Sequence, residues 1–191
     1  MTMRSTMGHN LAVGALALSA LALGGCDTLG KKKDPVSNLP VPEASAQLFD
    51  ARGADRGRLD IYRDTDGLRL ELVARGFAAG TYGMHVHTVG QCDGPKYTTA
   101  GPHWNPTNVQ HGRDNPTGAH HGDMPNLVIE PDMIGRATLR LVGTRLSGEG
   151  GLLDADGAAF VIHAKPDDYK TDPSGNSGDR LVCGVIAPKA G

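Results

Sequence analysis

Aromatic side chains are scarce in this chain, at 4% of 191 residues, while glycine is abundant at 27. That balance disfavours a helical bundle, which draws on Ala, Leu, Glu and Lys, and suits many short strands joined by turns. An excess of charge of one sign is also missing. Nineteen Lys and Arg against 21 Asp and Glu leave a net −2, so no basic footprint for nucleic acid is present and none is expected as a partner. Long hydrophobic runs are absent too, for the stretch from Leu11 to Leu23 is too short to span a bilayer comfortably. Cysteine occurs only three times. The length itself predicts one domain with an appendage.

What is present begins with a targeting segment. Arg4 precedes the Leu11–Leu23 run, which ends in Leu23-Gly24-Gly25-Cys26. This end resembles a bacterial lipobox, in which small residues admit the signal peptidase and the cysteine takes the lipid. A plain secretory signal cut nearby, with Cys26 incidental, is the alternative. The lipobox assigns residues 1–25 to a signal peptide and residues 26–43 to a lipidated cysteine with an extended tether. The tether carries Lys31-Lys32-Lys33 and Pro35, Pro40 and Pro42. The expected location is exported, periplasmic or at the cell surface, anchored to the membrane through Cys26. If Cys26 carries lipid, Cys92 and Cys183 remain as one disulfide, which an oxidising compartment would keep. Two free buried thiols are the alternative.

From residue 44 to 191 the pattern is that of one all-β domain. Leu59 and Ile61 alternate with Arg58, Asp60 and Tyr62, and Leu68, Leu70 and Leu72 alternate with Arg69 and Glu71 after an Asp66-Gly67 turn signal. Ala137, Leu139 and Leu141 repeat the theme. Further strands are expected at 44–51, 80–88, 126–131, 158–164 and 180–187. About eight strands with one apolar face imply a closed barrel or sandwich. Two long loops, 89–125 and 164–179, interrupt the rhythm and are expected to be functional.

Seven of the eight histidines fall between residues 85 and 163. A neutral imidazole offers a lone pair at physiological pH and is the commonest side-chain ligand for borderline metals. In a strand His85 and His87 share one face, and Met84 and Val86 point the other way into the barrel. His163 falls opposite Phe160 and Ile162 by the same alternation. His-x-His alone fits two surface histidines equally well, but His163 in phase and His103, His111 and His120 downstream point to copper or zinc. Metallo-hydrolases continue such a start with Asp-His, where this chain has Thr88-Val89-Gly90. Cupins place a glutamate a few residues on, where it has Gly90-Gln91-Cys92. Neither pattern fits.

Gly83-Met84-His85-Val86-His87, Ala100-Gly101-Pro102-His103-Trp104-Asn105-Pro106, His120-His121-Gly122-Asp123 and Gly178-Asp179-Arg180-Leu181-Val182-Cys183-Gly184-Val185 resemble the signatures of copper/zinc superoxide dismutase, of the bacterial exported type. The resemblance spans about residues 44–188. It implies an eight-stranded Greek-key β-barrel of the immunoglobulin-like sandwich type, an architecture of which this enzyme is itself a standard member. It further implies one copper and one zinc ion per chain. Copper would be held by His85, His87, His103 and His163, and zinc by His103, His111, His120 and Asp123, with His103 shared between them. His121, awkwardly placed beside His120, is expected to be an exposed loop residue.

The implied activity is disproportionation of superoxide to dioxygen and hydrogen peroxide by alternate reduction and oxidation of copper. His103 and Arg180 are the implied catalytic residues, Arg180 orienting the anion. Asp167 resembles the aspartate that joins a copper histidine to a zinc histidine, though an ordinary loop charge beside Asp168 fits the same letters. Trp104 stands where phenylalanine is commoner. The loop 164–179 lacks the acidic pair and lysine spacing of eukaryotic members, leaving Lys165, Lys170 and Lys96 as steering candidates. A non-catalytic copper/zinc-binding module of the same fold is the alternative function, and a homodimer stays open.

Overall fold

A computed structural model describes residues 40–189, so Cys26, the signal segment and most of the tether lie outside the described residues. Ten strands form one sheet: β1 (Ala44–Asp50), β2 (Asp55–Asp64), β3 (Gly67–Arg75), β4 (Gly80–Tyr82), β5 (Met84–His87), β6 (Leu127–Ile129), β7 (Ile134–Val142), β8 (Ala159–His163), β9 (Arg180–Val185) and β10 (Ala187–Pro188). The order is β4-β6-β7-β3-β2-β1-β9-β8-β5, with β10 on β1. The two strands at the ends of this order, β4 and β5, are joined through Gly83. The sheet therefore curls back on itself, and the connections β3 to β4 and β7 to β8 skip strands as a Greek key does.

Alternation builds the core. Leu59 and Ile61 of β2 lie opposite Leu72 and Leu70 of β3, and these pair onward with Ala137 and Leu139 of β7. Leu48, Leu59, Ile61, Leu70, Met84, Val86 and Phe160 are almost wholly removed from water. Each side chain of this size contributes roughly 1.5–3 kcal/mol on burial. The turn joining β2 to β3 is the two residues Thr65 and Asp66, with Asp64 paired to Gly67.

The eight expected strands become ten because two of them break. The 80–88 segment divides at Gly83, whose N–H donates to Lys165 O while its own carbonyl accepts from His163 N–H. β4 then runs beside β6 and β5 beside β8, so this one glycine carries the chain between the two ends of the sheet. The 180–187 segment divides at Ile186, where β10 moves onto β1. A third long connection, 143–158, joins β7 to β8, and its Leu146 and Leu152 pack into the core.

A second, smaller apolar cluster lies on the outer face of β8 and β9. Ala159, Val161 and Cys183 meet Tyr97 and Ala100 of the long loop there. Cys92 and Cys183 are disulfide-bonded across this cluster. The register between β8 and β9 shifts after Ile162, so His163 pairs with Arg180 while Ile162 pairs with Val182. That shift sets Arg180 beside a histidine of the loop-covered face.

Candidate metal centre

β5 supplies the first two imidazoles. All four of its residues are buried, Met84 and Val86 in the barrel core and His85 and His87 under the long loop. The loop is stitched to β5 by backbone hydrogen bonds: Val86 N–H to Gly122 O, Trp104 N–H to Val86 O, and Gly122 N–H to Trp104 O. Gly122 is required at this crossing, because a Cβ there would lie 2.3 Å from Val86 O. His103 and Asp123 flank these contacts and pair as isolated bridges with His87 and His85.

Two sets of ligand atoms lie within 4.8 Å of one another: His85, His87, His103 and His163, and His85, His103, His111 and Asp123. His103 belongs to both. His120 falls outside the second set, although its Nδ1 is 3.2 Å from Asp123 Oδ1. His85 stacks on His103 with ring centroids 3.8 Å apart, which explains its presence in both sets.

The hydrogen bonds fix which nitrogen of each ring keeps its lone pair. Carbonyls and carboxylates only accept, so a ring nitrogen facing one must carry the proton. His87 Nδ1–H donates to Gly101 O at 2.9 Å and His163 Nδ1–H to Gly178 O at 3.2 Å. Their Nε2 atoms then face each other at 3.3 Å, two lone pairs with no proton between them. His85 Nε2–H donates to Asp167 Oδ2 at 2.8 Å and His111 Nε2–H to Asp167 Oδ1 at 3.0 Å. His85 Nδ1 and His103 Nε2 remain buried with no hydrogen-bond partner. Buried orphan lone pairs cost free energy unless something electrophilic meets them.

Asp123 gathers the second group. Its Oδ1 lies 2.9 Å from His103 Nδ1, 3.0 Å from His111 Nδ1 and 3.2 Å from His120 Nδ1. Tetrahedral bonds of about 2.0 Å would separate their ligand atoms by about 3.3 Å. Asp123 Oδ1 stands at nearly that spacing from each of the three ring nitrogens, and a donor set of three imidazoles and a carboxylate suits zinc. Four imidazoles converging on unprotonated nitrogens fit copper.

Electrostatics keep most of these rings neutral. Burial lowers the pKa of His85 and His87, takes His103 to about 4 and His163 to about 3. The charge of Arg180 adds to the effect at His87 and His163. Burial opposes charge on His111 as well, but the Asp123 and Asp167 carboxylates, which accept from its ring, outweigh it and raise that pKa to about 9. Burial works against both carboxylates, yet contacts with His103, His111 and His85 hold them well below the usual range.

Arg180 donates to Tyr97 O at 2.6 Å and to Gly101 O at 2.7 Å, so its guanidinium is half-buried and fixed. An open cavity of about 470 Å³ beside it is lined by Pro95, Lys96, Thr98, Gly178 and Asp179. Of the three steering candidates only Lys96 lines this cavity, Lys165 and Lys170 lying outside its lining. His121 corrects an expectation: it is half-buried, its ring 5.5 Å from that of Trp104, and takes no part in either group.

Three contributors were not anticipated from the letters. Asn126 holds the backbone of Asp167, Gly175 leaves room for that carboxylate, and Tyr97 anchors Arg180. Asn126 precedes a strand and Gly175 sits in a turn, positions where Asn and Gly are ordinary, so no signal set them apart.

A family model described as copper/zinc superoxide dismutase matches residues 56–186. The superoxide dismutase-like protein YojM of Bacillus subtilis is 38% identical over 185 residues, 90% of this chain and 93% of its own. Cu-Zn superoxide dismutase 2 of Aquifex aeolicus is 38% identical over 149 residues, covering 75% of this chain and 86% of its own. A crystal structure of a SOD-like protein from Bacillus subtilis superposes with a TM-score of 0.70 at 38% identity, over 74% of this chain and 96% of that one. A family match over more than half of the chain, with relatives of this identity along most of its length, places it in the copper/zinc superoxide dismutase family.

Proposed function

We propose that the protein converts two superoxide ions and two protons to dioxygen and hydrogen peroxide, with one copper and one zinc ion per chain. The observation that carries this is that two groups of converging donor atoms share His85 and His103, whose Nδ1 and Nε2 respectively are buried without a hydrogen-bond partner. Copper, when bound, supplies a one-electron couple and zinc a fixed positive charge. His85, His87, His103 and His163 would hold copper; His103, His111, His120 and Asp123 would hold zinc.

The chain's own residues do the rest. Arg180 binds and orients the anion, because its charge is fixed at the register position beside His163. His103 Nδ1 faces Asp123, so Nε2 is the atom of that ring that can take up a proton and deliver it to reduced substrate. Asp167 holds His85 and His111 by their outer nitrogens, which keeps both rings aimed inward.

Metal analysis of fully loaded protein, with superoxide consumption measured on the same sample, tests the proposal. One copper and one zinc per chain with fast turnover are expected. Zinc alone without turnover would instead mark a non-catalytic binding module.

We further infer that the mature protein is an exported lipoprotein, with the enzyme domain at 44–191 carried on a tether from lipidated Cys26. Among the described residues no helix is long and apolar enough to cross a membrane. Attachment would rest on acyl chains at Cys26, which contribute roughly 0.8 kcal/mol per buried CH₂. Cys26→Ala should shift the protein from the membrane fraction to the soluble one. A wild-type protein recovered wholly soluble, with no added N-terminal mass, would overturn this.

A further inference from the structure

We propose that Asn126 is a positioning residue for the metal pair, acting on both metals through the backbone of Asp167. The inference rests on the copper/zinc reading of the site and deepens it.

Asp167, a member of neither group, holds a ring of each, with Oδ2 on His85 and Oδ1 on His111. Its side chain is completely buried. It stands in the 164–179 connection, and a carboxylate can aim two rings only if its own backbone is fixed. Asn126, immediately before β6, supplies that fixing. Its Oδ1 accepts from Asp167 N–H at 2.8 Å, and its Nδ2–H donates to Asp167 O at 2.9 Å. One carboxamide thus holds the N–H and the C=O of a single residue, a bidentate grip that removes rotation of that segment.

Neighbouring contacts give the grip a firm base. Asn126 N–H donates to Tyr169 Oη at 2.7 Å. Tyr169 O accepts from Asp114 N–H at 3.0 Å, and Arg113 lies 3.9 Å over the Tyr169 ring. The loop bearing His111 and the loop bearing Asp167 are thereby tied at Tyr169 as well as at the carboxylate. Gly175 closes the other side with φ +59, where a Cβ would fall 1.7 Å from Asp167 Oδ1. The carboxylate has almost no freedom while Asn126 holds its backbone. Without Asn126, Asp167 would drift from the two Nε2 atoms, and His111 Nδ1 would lose its aim at Asp123.

Partners of this outer kind typically change metal affinity by about 10–100-fold. Asn126 acts one step further out, so a loss of roughly tenfold, the low end, is expected for zinc. The test is zinc affinity of copper-free protein, by competition with a chromophoric chelator, for wild type, Asn126→Ala, Asp167→Ala and the double variant. If Asn126 works through Asp167, the double variant binds zinc no more weakly than Asp167→Ala alone. A purely structural role would instead multiply the two losses. Asn126→Asp is isosteric, keeps the acceptor and turns the donor into a second acceptor facing Asp167 O, so it carries the same decision should Asn126→Ala not fold. The proposal is overturned if these variants bind zinc within about twofold of wild type, the scatter expected for independent sites, or if the losses multiply. Wild-type protein that takes up no zinc would overturn the metal reading itself, an outcome distinct from unchanged variants of a zinc-binding wild type.

Discussion

Arg180 shows how much a single residue can decide when it is not a ligand. The chain carries a net −2, which cannot attract an anion, so productive encounters need a local positive field. Burial lowers the pKa of Arg180, but a guanidinium starts so high that it stays charged. Two backbone carbonyls hold it at the cavity that Lys96 also lines. Focusing by such clefts raises association rates by roughly 10–10³, an effect for which this enzyme family is itself a source. Arg180→Ala is therefore expected to slow turnover substantially with both metals retained, and Arg180→Glu to slow it further. Wild-type rates should fall as salt rises, since the Debye length is about 10 Å at 0.1 M. Pulse radiolysis over a salt series, with metal content checked, measures this; an Arg180→Glu rate equal to wild type at low salt would remove Arg180 from the mechanism. Arg180 was legible in the sequence because its neighbours form a motif, as were His85, His87 and His163 through strand alternation and His103, His111 and His120 through the family resemblance. Asn126, Tyr97 and Gly175 were not. They act on peptide groups and on vacant space, and neither leaves a spacing to read.

At the scale of elements, the disulfide does more than close a loop. Cys92 and Cys183 cover the small cluster on β8 and β9, and the loop they pin carries Tyr97 and Gly101, the two carbonyls that hold Arg180. Tyr97 also donates through its hydroxyl to Phe49 O on β1 at 3.1 Å. Cys183→Ser should then do two things. Opening a link of separation 91 should cost about 4–5 kcal/mol in the chain-entropy model, read as a lower urea midpoint. Turnover should also fall at full metal occupancy, because the anchors of Arg180 become free to move. A variant that loses stability but keeps the full rate would show that the arginine is held without the bridge. Alternation made β2, β3 and β7 plain in the sequence. The breaks at Gly83 and Ile186 were hidden, because a sequence pattern shows which face a side chain takes and not where a strand changes partners. The 143–158 connection was missed for a related reason, since Leu146 and Leu152 read as loop letters until they are seen closing the core.

For the whole molecule, the metal centre and the fold share one set of buried charges, and pH should expose the link once metal is removed. Unfolded histidines titrate near 6.5. In the metal-free fold His85, His87, His103 and His163 titrate lower, with His103 at about 4 and His163 at about 3. As pH falls below about 6.5 the unfolded chain gains protons that these rings refuse, so the stability present above that pH is lost progressively towards their folded values. His111 runs the other way. Its pKa of about 9 gives a contribution complete below about 6.5 that fades as pH climbs through 9. The melting temperature of chelator-stripped protein should therefore peak near pH 6.5–7 and fall on both sides, more steeply towards acid because four rings act there against one. Bound metal would hold His111 Nδ1 without its proton, so the alkaline decline should vanish in loaded protein while acid still releases the metals. Calorimetry of stripped and loaded protein from pH 4 to pH 9 reads both limbs. A stripped protein whose melting temperature stays level from pH 7 to pH 4.5 would mean that these histidines are not buried as a neutral cluster, and the shared core of fold and site would have to be abandoned.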